Sequence, residues 1–76
     1  MNKPRRKQLN ELAERIRELK EEVEALRDEE QDYLDNMPES FQQGEKGDAA
    51  QEAIDNIESA IDSLDEAADA LENATA

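Results

Sequence analysis

The sequence predicts an all-α fold: an antiparallel two-helix hairpin, coiled-coil-like, that dimerises into a four-helix bundle. Three observations predict it. Apolar residues recur at alternating steps of three and four along two long segments, which puts them on one face of each helix. A stretch carrying Pro38 and both glycines, Gly44 and Gly47, separates the segments. Charge is divided unequally, with a basic start and an acidic remainder, so opposite ends of the chain attract.

The first helix is expected within residues 1–37. Leu9, Leu12, Ile16, Leu19, Val23 and Leu26 form a heptad seam, which continues through Glu30, Tyr33 and Met37. Asn2 and Pro4 supply a start, since proline is tolerated in the first turn. Pro38 disfavours helix at Met37 and supplies the stop. Glu30 is the charged member of the seam. Two readings of it are open: a register-setting partner for Arg27 of a second subunit, or a local rotation of the helix that brings Leu34 into the core.

Residues 38–47 are expected to be a loop, long enough to return the chain alongside itself. Phe41 is expected to fold back against Tyr33 and Met37 and plug the end of the bundle. The alternative is an exposed anchor for a partner.

The second helix is expected over 48–76. Asp48 with Gln51 three residues on has the form of a capping box. The seam is Ala50, Ile54, Ile57, Ile61, Leu64, Ala68 and Leu71. Three heptads beginning at Ile54, Ile61 and Ala68 repeat one pattern, with Asp second, a branched apolar residue fourth, an acid fifth and alanine seventh. The alanines Ala53, Ala60, Ala67 and Ala74 lie beside the seam and widen the apolar stripe beyond a two-stranded contact. They form a packing face for another helix, or merely favour helix. An antiparallel pairing lets Arg15, Arg17 and Lys20 face Asp65, Asp69 and Glu72.

Net charge is −13. Residues 1–20 hold seven bases and three acids, and the rest hold two bases and nineteen acids. From Asp48 onward there are nine acids and no base. The cluster Lys3, Arg5, Arg6, Lys7 is the only element suited to phosphate, and the remaining chain repels it, so direct nucleic-acid binding is not expected. Asp48, Asp55, Asp62 and Asp69 instead repeat every seven residues, a spacing of about 10.5 Å along a helix. Such a row either imitates nucleic-acid charge or simply solubilises the helix.

Enzymatic parts are lacking in the sequence. There is no cysteine and no histidine, no Gly-rich phosphate loop of the required spacing, and no base to activate Ser40, Ser59 or Ser63. No cofactor or metal site is expected; the acids from Asp28 to Asp35 lack the ligand alternation and glycine of a calcium loop. No apolar run approaches a membrane span, and the basic start lacks a following apolar stretch, so a cytoplasmic protein without membrane association is expected.

The stretch Tyr33-Leu34-Asp35-Asn36-Met37-Pro38-Glu39-Ser40-Phe41-Gln42, followed by an Ala/Glu/Ile-rich helix, resembles small uncharacterised acidic helical-hairpin proteins of bacteria and their phages. The resemblance implies a bacterial or phage source and assigns no site residues. The functional expectation is a non-enzymatic protein–protein interaction module presenting an acidic helical surface, as a homodimer. Its interaction residues are Tyr33, Phe41, Ala53, Ala60, Ala67, Asp55, Asp62 and Asp69. Two alternatives stand beside it: a nucleic-acid-mimicking inhibitor of a DNA- or RNA-binding protein, and a small scaffold of a phage or bacterial assembly.

Overall fold

A computed structural model describes residues 1–76, and the chain is all-helical, without strands. Helix α1 spans Lys3–Asp35, a single turn α2 spans Glu39–Gln42, and α3 spans Glu45–Ala74. The molecule is a rod of 58 × 14 × 12 Å with a radius of gyration of 17.2 Å, against about 11 Å for a globule of this length.

Helix α1 starts where the sequence places it. Asn2 is extended at φ −77° and ψ 163°, and its side-chain oxygen accepts a hydrogen bond from the Arg5 amide at 2.8 Å. That satisfies one of the amides a helix start leaves open, and Pro4 falls in the first turn, where its missing N–H costs nothing. The end is held by a residue the sequence reading passed over. The Gln42 side-chain amide donates to the carbonyls of Leu34 at 3.1 Å, Asp35 at 3.3 Å and Met37 at 3.1 Å. One amide thus serves several carbonyls that the helix end leaves unpaired.

The expected loop over 38–47 is largely helical. Pro38 leads into α2, whose amides at Phe41 and Gln42 donate to the Pro38 carbonyl at 2.8 and 3.1 Å. Helix α3 begins at Glu45, with Gly44 extended before it, rather than at Asp48. The expected capping box therefore does not form: Asp48 is already in the first turn, its amide bonded to the Gly44 carbonyl at 3.0 Å, and the Gln51 amide donates to Asp55 at 3.0 Å. The early start has a steric cause. Gly47 is buried, and a side chain there would overlap the backbone of Gln42. The absent Cβ lets the first turn of α3 press onto α2. Glu45 and Asp48 also suit the positive end of the helix dipole.

Helices α1 and α3 pack along their length. The hydroxyl of Thr75 meets the side-chain oxygen of Asn10 at 2.7 Å, and Arg17 reaches Asp65, Asp69 and Glu72. The start of α1 therefore lies beside the end of α3. The core is thin. Ala13, Ala50, Ile54, Ile61 and Ala68 are its buried apolar residues, and Ile54 is the one large side chain almost wholly enclosed. In α3 the burial follows the expected seam, with Ile57, Leu64 and Leu71 half-buried beside the enclosed Ile54, Ile61 and Ala68.

In α1 the seam is rotated from its expected position. Leu9, Ile16, Val23, Glu30 and Met37 keep their places toward α3, but the second row is Ala13, Lys20, Arg27 and Leu34, all buried or half-buried. The expected row of Leu12, Leu19, Leu26 and Tyr33 stands 43%, 51%, 58% and 53% exposed. The cause is electrostatic and steric together. Turning the helix this way brings Arg17 and Lys20 to the carboxylates of α3 and lets small Ala13 sit at the contact. Leu34 is thereby drawn inward next to Glu30, as the rotation reading of that residue expects, and Arg27 bonds the adjacent Asp28 of its own chain at 3.1 Å.

Candidate interaction surface

The two flanks of the rod differ in chemistry. One flank is ionic. Arg17 donates from Nε to Glu72 at 2.8 Å, from Nη2 to Asp69 at 2.8 Å and from Nη1 to Asp65 at 3.2 Å. Lys20 Nζ donates to the same Asp65 oxygen at 3.0 Å. The hydrogen bonds to Asp69 and Glu72 hold the Arg17 guanidinium well above its ordinary pKa. The bond to Asp65 raises that of Lys20, and the bond from Lys20, with its charge, lowers that of Asp65. Arg15, expected to join this cluster, is exposed and makes no ion pair. It lies on the side of α1 away from Arg17, as their spacing of two residues requires.

The opposite flank is apolar. On α1 it carries the exposed row Leu12, Leu19, Leu26 and Tyr33, spaced every seven residues on one face. On α3 the neighbouring row is Ala53, half-buried, with Ala60, Ala67 and Ala74 exposed. The register that pairs Arg17 with Asp69 puts these rows level with each other. Leu12 stands at the height of Ala74, Leu19 of Ala67, Leu26 of Ala60 and Tyr33 of Ala53; in each pair the residue numbers add to the same total as for Arg17 and Asp69.

The charges of α3 are sorted to match. From Gly47 onward every acid falls on the three rows facing the ionic flank or the back of the helix. The four rows containing Ile54, Ile57, Ala53 and Asn56 hold none, an uncharged arc of about 155° by heptad geometry. Helix α1 covers only part of that arc. A chain with 22 acids in 76 residues keeps half of one helix free of charge, and only part of that half faces α1.

At the bend, the apolar row ends in a shallow cleft of about 250 Å³, lined by Tyr33, Asn36, Met37, Pro38, Phe41 and Lys46. Phe41 does lie with Tyr33 and Met37, but it is not the expected plug, being 50% exposed. A turn of only four residues holds its ring at the rim, where Lys46 Nζ stands 5.4 Å from the ring centre, within cation–π range.

The structure thus unites Tyr33, Phe41, Ala53, Ala60 and Ala67 on one flank and sets Asp55, Asp62 and Asp69 apart from them. Those aspartates are exposed, but Asp69 is engaged by Arg17 and Asp55 by Gln51. Nowhere do three or more acids converge to hold a metal ion, and no helix is long and apolar enough to cross a membrane. What sequence reasoning missed is the division of α1's apolar residues between a face toward α3 and an exposed face. The signal was present in Ala13 and Lys20, small and long-stemmed residues one step beyond the seam that a close helix contact favours.

The geometry defines a class by architecture alone: an all-helical rod with one apolar flank left open. No family model matches the chain, and neither curated sequences nor solved structures give a match to it.

Proposed function

We propose that this chain is a non-enzymatic interaction module: a helical hairpin that docks through its open apolar flank, pairs with a second copy as a four-helix bundle, and turns its carboxylates outward. The observation that carries the reading is the exposed row Leu12, Leu19, Leu26 and Tyr33 level with an uncharged alanine row. Exposed apolar side chains standing singly on a surface need no explanation, but a row along one face of a rod marks an interaction site. Two helices alone also bury too little to specify a rigid core, and completing a bundle is the usual remedy. The resemblance of residues 33–42 to small acidic proteins of bacteria and phages is compatible with such a module.

The test is sedimentation equilibrium at micromolar concentration. The wild-type chain is expected at twice its 8.6 kDa mass, and Leu26→Glu, which alters only the open flank, at the single mass with its helicity kept. A wild-type monomer of full helicity would count against the dimeric reading.

A second reading, mimicry of nucleic-acid charge, draws on the exposed, evenly spaced Asp48, Asp55 and Asp62. It is weakened by the use of Asp65, Asp69 and Glu72 within the chain itself. It requires binding to a basic protein that competes with DNA and collapses with salt. Docking through the apolar flank is largely salt-insensitive. A scaffold role would show as assemblies larger than a dimer.

A further inference from the structure

We propose that the two copies pack with their two-fold axis parallel to the rod, so that α1 of each copy lies over α3 of the other and all four chain termini share one end. The inference rests on the apolar-flank reading above and adds the orientation of the partner.

The flank is large enough for a stable pair. A face of 58 by 14 Å is on the order of 800 Å² in projection, the area each partner contributes to a standard interface. Two two-fold arrangements can bury it. An axis along the rod leaves every residue at its own height and exchanges the two helices. An axis across the rod reverses the heights and stacks α1 on α1 and α3 on α3.

Side-chain size favours the first. Because Leu26 and Ala60 stand at one height within a chain, exchange of helices sets Leu26 over the partner's Ala60, and Leu19 over the partner's Ala67, with no sliding. Large meets small in every layer, which is how cores reach native density without strain. The crosswise axis sets the leucine rows against each other and the alanine rows against each other. The bundle would then be overfilled on one side and hollow on the other.

The rim agrees. On α1 the row outside the leucines carries Arg15, Glu22 and Glu29; within one residue of their heights α3 offers Ala70, Ser63 and Asn56, all exposed and uncharged. The lengthwise axis therefore brings those glutamates to neutral side chains. It also sets the two α3 helices, each with ten acids against Lys46 alone, on the diagonal of the bundle rather than side by side, and it lays the basic start of each α1 along the acidic end of the partner's α3. At the bend, the two clefts at Tyr33 and Phe41 come to the same end, where each half-exposed ring gains apolar cover from the other copy.

The chain has no cysteine, so a single spin label can be placed at the bend through Ser40→Cys, with Gln43→Cys as a second exposed site. The label-to-label distance in the intact full-length chain is measured by pulsed electron resonance, and the mass of the same sample by sedimentation. A dimer with a distance well under half the 58 Å length of the rod is expected at both sites. A dimer with labels about a rod's length apart would overturn the orientation and leave the interaction-flank reading standing. A monomer would overturn both.

Discussion

The Arg17 guanidinium lies 2.8 Å from the Asp69 carboxylate, across the contact between α1 and α3. That pair fixes the heights of the two helices. It turns Leu12, Leu19 and Leu26 outward, because the side of α1 that presents Arg17 and Lys20 to α3 is opposite the side that carries the leucines.

Arg17 should therefore matter more than its exposure implies. Arg17→Ala removes three ion pairs at once, whereas Arg15→Ala removes none. Thermal melts at low salt are expected to show a lower Tm for Arg17→Ala and little change for Arg15→Ala. At high salt the difference should shrink, since screening weakens exposed pairs. Equal melting temperatures for the two variants at low salt would show that the register has another origin.

The ionic flank also sets a pH signature. The Asp65 carboxyl is held below its ordinary 3.8 by Lys20 first and Arg17 second. A carboxyl whose pKa is lowered by folding stabilises the fold above its unfolded value, and the contribution disappears as pH falls through the lowered one. Lys20 is raised above 10.5 by Asp65, so its share is complete below 10.5 and fades as pH rises past that. The Tm difference between wild type and Asp65→Asn isolates the cluster. It should be constant through the neutral range, begin to shrink as pH falls past 3.8 and vanish only once pH is below the lowered value of the folded chain. A difference that grows in acid would refute the assignment.

Gly47 tests the bend. By propensity, Gly→Ala inside a helix gains up to about 1 kcal/mol. Here the added methyl meets the Gln42 backbone, and overpacking of this kind costs about 1–3 kcal/mol. Gly47→Ala should lower stability in urea unfolding, while Gly44→Ala, where the nearest atom to a new methyl is 3.4 Å away, should be far milder. A stabilised Gly47→Ala would mean that α3 does not press on α2.

Ile54 and Leu26 separate the two apolar surfaces. Ile54 is 2% exposed between the helices, so Ile54→Ala should cost about 2–5 kcal/mol at any protein concentration. Leu26 is 58% exposed in the single chain. Leu26→Ala should therefore act mainly where the second copy is bound, with a Tm deficit that grows with concentration. Equal, concentration-independent deficits would place Leu26 in the contact between α1 and α3.

Much of this architecture was legible in the sequence, because heptad spacing, Asn2 and Pro38 act locally and the period of a helix is rigid. The seam of α3 was read correctly since alanine and isoleucine alternate with acids on every turn. The rotation of α1 was legible only at Glu30, where Leu34 offered an inward alternative: elsewhere the apolar residues alone fit the leucine row better, and the non-local demand of Arg17 and Lys20 for α3's carboxylates turns the helix. Gln42 and Gly47 escaped for a different reason, since each acts on backbone five to eight residues away across the bend, where no helical period guides the reading. The candidate surface was half legible. The alanines stood out beside the expected seam, but the leucines level with them looked like core.

The central claim, that a second copy covers the leucine row, can be read at Tyr33. It is the only tyrosine, and there is no tryptophan, so intrinsic fluorescence reports one point on that row. Acrylamide quenching of Tyr33 is followed across a dilution series at constant helicity. Weak quenching at high concentration that strengthens on dilution is the expected result. Quenching as strong as that of free tyrosine at every concentration would contradict the account.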